Sequence, residues 1–194
     1  MIERRKIIIM RKNFGVKSWF YPLPVLIIGT YDKQGKADAM NAAWGGLYDT
    51  DLVELCLSEG HKTTKNIKEK KAFTVAFGTA DTVASCDYVG LVSGNTESEK
   101  IQKAGFTAEK SNFVDAPVFN ELPLTLECKL EKITEDGNVI GKIVNIAADE
   151  KILDENGEIC VEKLRPIAFD PVKSGYYVLG EKVGTAFSDG KKLK

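Results

Sequence analysis

Apolar residues fall in short runs separated by Gly, Asp and Asn, with few of the long three-to-four-residue stripes that mark a helical protein. Leu23 through Tyr31 is apolar after Pro22 and breaks at Asp32-Lys33-Gln34-Gly35, a turn signal. Lys36 through Tyr48 then returns as the second strand of a hairpin. Leu52 through Ser58 alternates only in part, which predicts a strand buried on both faces. Ala72 through Phe77 reads as another strand. The clearest two-residue period, Leu124, Leu126, Cys128 and Leu130, opens a pair of long strands, Leu124 through Thr134 and Val139 through Ala148, around Asp136-Gly137-Asn138. Tyr176 through Leu179 is the last candidate strand.

Helical segments sit in the middle of this order. Thr63 and Thr64 offer hydroxyl N-caps before a polar surface helix, Lys65 through Lys71. Thr79 through Val92 follows, with Asp81 near its start, and ends at Ser93-Gly94. A short amphipathic helix spans Thr96 through Ala104, closed by Gly105 in the left-handed position. Phe106 to Glu121 is irregular and reads as a long surface loop. Strands, then helices, then strands again predict a mainly β protein with helical insertions, a barrel rather than a βαβ sheet. No repeat or low-complexity linker divides the chain, so residues 11–194 form one domain behind an extension at 1–10.

Composition narrows the function. The chain has 194 residues, 43% apolar and 28% charged, with a net charge of −1. That balance carries no basic surplus for nucleic acid. The run Ile7-Ile8-Ile9-Met10 is too short for a membrane span or a signal core, which points to a cytoplasmic protein. The strand pattern becomes coherent only after Met10, which makes Met10 an alternative start. The four cysteines, Cys56, Cys86, Cys128 and Cys160, lie far apart, without a zinc or dithiol spacing, and read as reduced and mostly buried. Asp149 to Gly157 brushes against a calcium-loop pattern without its closing Glu and reads as a turn.

The candidate chemistry lies between residues 41 and 64. Gly60-His61-Lys62-Thr63-Thr64 places free backbone N–H groups, two hydroxyls and an ammonium at a helix start, a constellation suited to an anion and equally to a capped surface helix. His61, the only histidine, could donate to the same anion. Asn41-Ala42-Ala43-Trp44-Gly45-Gly46 sets an amide and small residues beside an aromatic, which would let a flat ring approach; the alternative is a packed hairpin with Trp44 in the core. Asp87 through Gly94 has glycines and Ser93 that serve either packing or a pocket. No dinucleotide fingerprint, Walker lysine, nucleophile elbow or H-E-x-x-H pair occurs. A pocket with so little acid–base equipment fits a protein whose cofactor carries the chemistry.

On these residues the chain resembles the flavin reductase-like, FMN-binding split-barrel family, and most of all its flavoredoxin branch. The matching landmarks are Pro24 through Tyr31, Asn41 through Gly46, Asp87 through Gly94, and Leu179-Gly180-Glu181-Lys182-Val183-Gly184. The resemblance implies a six-stranded Greek-key split barrel that forms a homodimer, with FMN held non-covalently near the subunit boundary. Asn41, Ala42, Ala43 and Trp44 would line the ring and ribityl chain. Ser58, Lys62, Thr63 and Thr64 would receive the phosphate, and Ser93 and Lys100 would complete the pocket. It also implies hydride transfer from NAD(P)H, a transient donor, to the flavin, then electron delivery to a flavin or redox-protein acceptor, with no catalytic side chain. Two alternatives stay open: an FMN electron carrier without nicotinamide activity, and a flavin-free barrel acting as an interaction module. The segment Asn145-Ile146-Ala147-Ala148-Asp149-Glu150 departs from the pattern, since Ala147 stands where some relatives carry a histidine ahead of the Asp-Glu pair.

Overall fold

The computed structural model describes residues 10–193; the Ile7-Ile8-Ile9 part of the first apolar run, the rest of the 1–10 extension before Met10, and Lys194 lie outside the described residues. The strands are β1 (Leu23–Pro24), β2 (Leu26–Tyr31), β3 (Ala37–Ala42), β4 (Gly45–Asp49), β5 (Leu52–Leu55), β6 (Ala72–Phe77), β7 (Ala108–Lys110), β8 (Pro117–Phe119), β9 (Leu124–Ile133), β10 (Val139–Ala148), β11 (Ile167–Asp170) and β12 (Gly175–Val178). The helices are α1 (Lys62–Lys70), α2 (Val83–Leu91), α3 (Lys100–Lys103) and α4 (Val161–Leu164).

The main sheet is antiparallel and runs β3-β2-β6-β9-β10-β5-β4. Its two edges, β3 and β4, are consecutive in the chain and separated only by Ala43 and Trp44. Two residues cannot span a flat sheet of this width, so the sheet is curled until its edges meet. The expected long strand from Lys36 to Tyr48 therefore exists as one path that crosses the seam of a barrel. Counted as one strand, β3 and β4 leave six in the wall, the split barrel that the resemblance implies. Gly45 sits at the seam, where a Cβ would lie 2.8 Å from Leu55 Cδ2 on β5 and 3.2 Å from Leu26 Cδ1 on β2. A larger residue would force the edges apart.

Both faces of β2 and β6 are covered, which explains their unbroken apolar runs, whereas β5, expected to be buried on both faces, buries only Val53 and Leu55. Leu26, Ile28, Val53, Leu55, Phe73, Val75, Leu126 and Cys128 fill the barrel. Val25, Ile27, Ala76, Cys86, Val89, Phe106 and Phe119 form a second core between the wall, α2 and the β7–β8 hairpin. Burial of some dozen large apolar side chains at about 1.5–3 kcal/mol each is the main force that holds the curl against chain entropy.

Several expectations are corrected. The Phe106–Glu121 stretch contains the β7–β8 hairpin, whose three-residue strands are too short to show a period. Thr63 and Thr64 lie inside α1, and its N-cap is His61, whose side chain makes no capping bond. The Thr79–Val92 helix begins as a 3-10 turn at Ala80–Thr82, and the third helix shrinks to Lys100–Lys103. Cys86 and Cys128 are buried, but Cys56 is exposed and Cys160 intermediate. Strand β11 went unread because its partners β1 and β12 lie far off or are short themselves. Gly105 does hold the left-handed conformation, and Asp154 folds its segment into a turn by accepting from the Asn156 and Glu158 N–H groups.

Candidate functional site

Two cavities lie at the β3–β4 crossing. The smaller, about 160 Å³, is polar and lies over the β3 side, between α1, α2 and the loop that leads into α3. It is lined by Asn41, His61, Lys62, Thr63, Ser93 and Lys100 among the expected site residues, and by Asp38, which the sequence reading missed. The larger, about 540 Å³, lies at the β4 side. Ala43, Trp44, Gly45, Gly46, Leu47 and Cys56 form one wall of it, and the arm from Lys17 to Pro24, with Trp19 and Phe20, the other.

Local structure explains each placement. Asn41 is fixed at the end of β3 because its Nδ2 donates to the Cys86 carbonyl of α2 at 3.1 Å. The first helical N–H groups of α1, on Lys62, Thr63 and Thr64, have no carbonyl one turn back; the first such bond is Lys65 N–H to the His61 carbonyl at 3.3 Å. Without a side-chain cap, these groups and the positive end of the helix dipole remain for an external anion. Lys62, half-buried, leans over this start and pairs with Asp32 at 3.3 Å. Burial would raise the Asp32 carboxyl, but the Lys36 and Gln34 N–H groups and Lys62 together hold it below the usual range.

The floor of the polar cavity is a buried charge pair. Asp38 is 2% exposed and Lys100 4%, with Lys100 Nζ 3.8 Å from Asp38 Oδ1. Thr63 Oγ1 donates to Asp38 Oδ2 at 3.3 Å. Burial pushes the Asp38 carboxyl above its ordinary value, while Lys100, Lys62 and the Thr63 hydroxyl pull the other way. Burial also lowers Lys100, and Asp38 opposes it. Gly94 closes over this pair: a Cβ there would sit 2.8 Å from Asp38 Cγ and run into Oδ1.

Not every expected residue reaches a cavity. Ala42 is buried in the barrel core. Thr64 is buried, and its hydroxyl donates to the Ser58 carbonyl at 2.8 Å, so that side chain braces the turn and leaves only its backbone N–H for a ligand. Ser58 and His61 are exposed around the helix start. Trp44 is 58% exposed, which settles against its being core. Asp38 carried one readable signal: a carboxylate in mid-strand, between Ala37 and Ala39, needs a partner once that strand is buried.

The dimensions suit a ligand with a phosphate at one end and a flat ring at the other. Asn41 lines the polar cavity and Trp44 the larger one, with only Ala42 and Ala43 between them and a bend in the chain at Trp44. The fold is shared with a recognisable set of proteins. A model of the flavin reductase like domain matches residues 18–167. Among solved structures, the flavoredoxin of Desulfovibrio vulgaris (Miyazaki F) is 34% identical, covers 93% of this chain and 100% of its own, and superposes with a TM-score of 0.90. A flavoredoxin from Methanosarcina acetivorans is 26% identical, with 95% and 100% coverage and a TM-score of 0.86. An uncharacterized protein of Aquifex aeolicus is 30% identical over 159 residues, 75% of this chain and 79% of its own. The curled sheet with its seam at Ala43–Trp44, the domain match across both cavities and the likeness to two flavoredoxins agree: the chain belongs to the flavin reductase-like family, on its flavoredoxin branch.

Proposed function

We propose that the chain binds FMN across the β3–β4 crossing and works as a flavin-dependent electron-transfer protein. The observation that carries this reading is the uncapped start of α1, with Lys62 and Thr63 facing the polar cavity, one strand-end from the small-residue wall at Ala43–Gly46. Lys62, the α1 N–H groups and Ser93 would hold the phosphate; Asn41 and the Ala43–Trp44 backbone would hold the ribityl chain and ring edge. When bound, FMN supplies the electron-accepting ring, loaded from NAD(P)H or from a protein donor and discharged to a flavin or redox-protein acceptor. The side chains would bind, align and exclude water. The likeness to flavoredoxins equally supports a carrier with no nicotinamide activity.

The same reading includes a homodimer. Trp44 and Leu47 on one side of the larger cavity and Phe20 on the arm opposite are exposed. Apolar groups gathered around one cavity in this way are what a second copy would cover.

Titration of the flavin-free protein tests the reading. FMN should bind at about one per subunit and outcompete riboflavin, and Lys62→Ala should weaken FMN by about 1.5–3 kcal/mol. Equal affinity for FMN and riboflavin would defeat the phosphate assignment. Anaerobic mixing of the FMN-loaded protein with NADH and NADPH then separates reductase from carrier, since only the former bleaches the flavin.

A further inference from the structure

The polar cavity is charge-balanced before any ligand arrives. Two ammonium groups line it, and each already has a carboxylate: Lys62 with Asp32 at 3.3 Å and Lys100 with Asp38 at 3.8 Å. A phosphate dianion brought to Lys62, Lys100 and the start of α1 therefore meets two positive and two negative side chains. The carboxylate worst placed for this is Asp38, which is buried where Asp32 is in partial contact with water.

Asp38 also cannot move aside. Gly94 bears on its carboxyl group, Thr63 Oγ1 donates to Oδ2, and the β3 backbone is paired to β2 on its other edge. The groups that face it come from every neighbouring element. Lys62 and Thr63 come from α1, with His61 at the rim, and Lys100 comes from α3. From α2 come only the uncharged Val89, Gly90 and Leu91, and from the loop Ser93 and Gly94. Thr30, opposite on β2, is committed to Asn66, whose Nδ2 donates to its hydroxyl at 3.0 Å. Like charges held close in a dry site cannot both stay ionised. A carboxylate that cannot withdraw must be neutralised where it stands.

We infer that Asp38 is the resident counter-ion of the phosphate subsite: it holds Lys100 and Thr63 in place, and takes up a proton from solvent when a phosphate dianion replaces it as the partner of Lys100. This rests on the FMN reading above and deepens it. Asp38 is a positioning residue, not a ligand. Its proton comes from water and no bond to the cofactor changes. In its neutral form the carboxyl still accepts from Thr63, and Lys100 is left with its full charge for a charge-assisted bond to phosphate. Burial already raises the Asp38 carboxyl, which favours the same direction of change. The consequence is that binding of FMN, and not of riboflavin, is linked to pH.

Calorimetric titration of the flavin-free full chain near pH 7.5, in two buffers of different protonation enthalpy, counts protons taken up on binding. Above about pH 7 the phosphate monoester is almost wholly dianionic and its own ionisation adds little. The expected result is net uptake with FMN and none with riboflavin. A group whose pKa is higher in the complex strengthens binding at low pH, an advantage lost as pH rises, so the FMN dissociation constant should climb by up to about tenfold per pH unit. His61→Asn should leave the uptake intact, whereas Asp38→Asn should abolish it and flatten the pH profile. FMN binding without uptake, uptake that persists in Asp38→Asn, or uptake lost in His61→Asn would each overturn the inference. If Asp38→Asn does not fold, an infrared difference spectrum of the wild-type chain with isotopically labelled aspartate decides. A new protonated-carboxyl band on FMN addition supports the inference, and its absence overturns it. Failure to bind FMN at all would overturn the cofactor reading and this inference together, an outcome distinct from binding without uptake.

Discussion

On the β3 side of the seam the charged groups are sheltered: Asp38, Lys100 and Thr63 are buried, Asp38 meets both of the others, and Gly94 roofs it. On the β4 side, only a few residues along the same chain path, Trp44, Leu47 and Tyr48 stand open, and a cavity more than three times larger faces solvent. The polar end buries its charged groups within this chain; the aromatic end leaves its apolar groups facing solvent. The difference follows from what each end must do before its ligand or partner arrives. Buried charges must be satisfied at once or the fold does not survive, whereas exposed apolar groups cost little until something covers them. Changes on the polar side should therefore register in stability, and changes on the aromatic side in assembly.

The largest expected effect comes from splitting the buried pair. Lys100→Met leaves Asp38 dry and unpaired and should cost about 3–5 kcal/mol in urea unfolding, whereas Asp38→Asn with Lys100→Met should recover most of that loss. A single substitution as mild as the double one would mean that water reaches the pair and that the two ends do not differ in this respect. Next come the two glycines. Gly94→Ala drives a methyl into the Asp38 carboxyl and should cost about 1–3 kcal/mol in urea unfolding. Gly46→Ala meets no heavy atom within 4 Å and should stay within about 0.5 kcal/mol. Equal effects of the two would erase the contrast between tight and open ends. Leu47→Asp tests the aromatic side by itself. It should leave the urea midpoint of the monomer unchanged while weakening the proposed dimer by about 1–2 kcal/mol, read by sedimentation at several concentrations.

How legible these two ends were in the sequence depended on whether their logic was local. The β2, β6, β9 and β10 strands announced themselves because each alternates or saturates with apolar residues over its own length. The anion-binding look of His61 to Thr64 was legible for the same reason, since helix starts are built from neighbours. The seam was not. Ala37 to Asp49 reads as strand whether it ends in a flat sheet or crosses between the edges of a curled one, and only the register of β4 on β5 distinguishes them. Thr63 looked like a cap, yet its hydroxyl bonds to Asp38, twenty-five positions earlier. Lys100 likewise finds its partner on β3, across β4, β5, α1, β6 and α2, a pairing that no local pattern announces. The β11 strand, Ile167–Asp170, has four residues and pairs with Leu23–Pro24 at the other end of the chain, beyond any window in which a period can be read.

The smallest expected effect is on no stability at all, yet it reports on both ends at once through their thiols. Cys56 is exposed in the wall of the aromatic cavity, and Cys86 is buried in α2, whose carbonyl at that position holds Asn41. Cys128 lies in the barrel, where burial and then Glu127 push its thiol up to about 12. Burial and Glu54 raise Cys56 as well, but water reaches it, so a disulfide reagent should label Cys56 first, and faster as pH rises and the thiolate fraction grows. Cys86 and Cys128 should react only at the rate of unfolding. If a second copy covers the β4 side, Cys56 labelling should slow as protein concentration passes through the dimer range, while Cys86 labelling should not respond. A Cys86 as reactive as Cys56 in the folded chain would show that the polar end is not closed. A concentration-independent Cys56 rate, in a chain that sediments as a dimer, would place the second copy on another face.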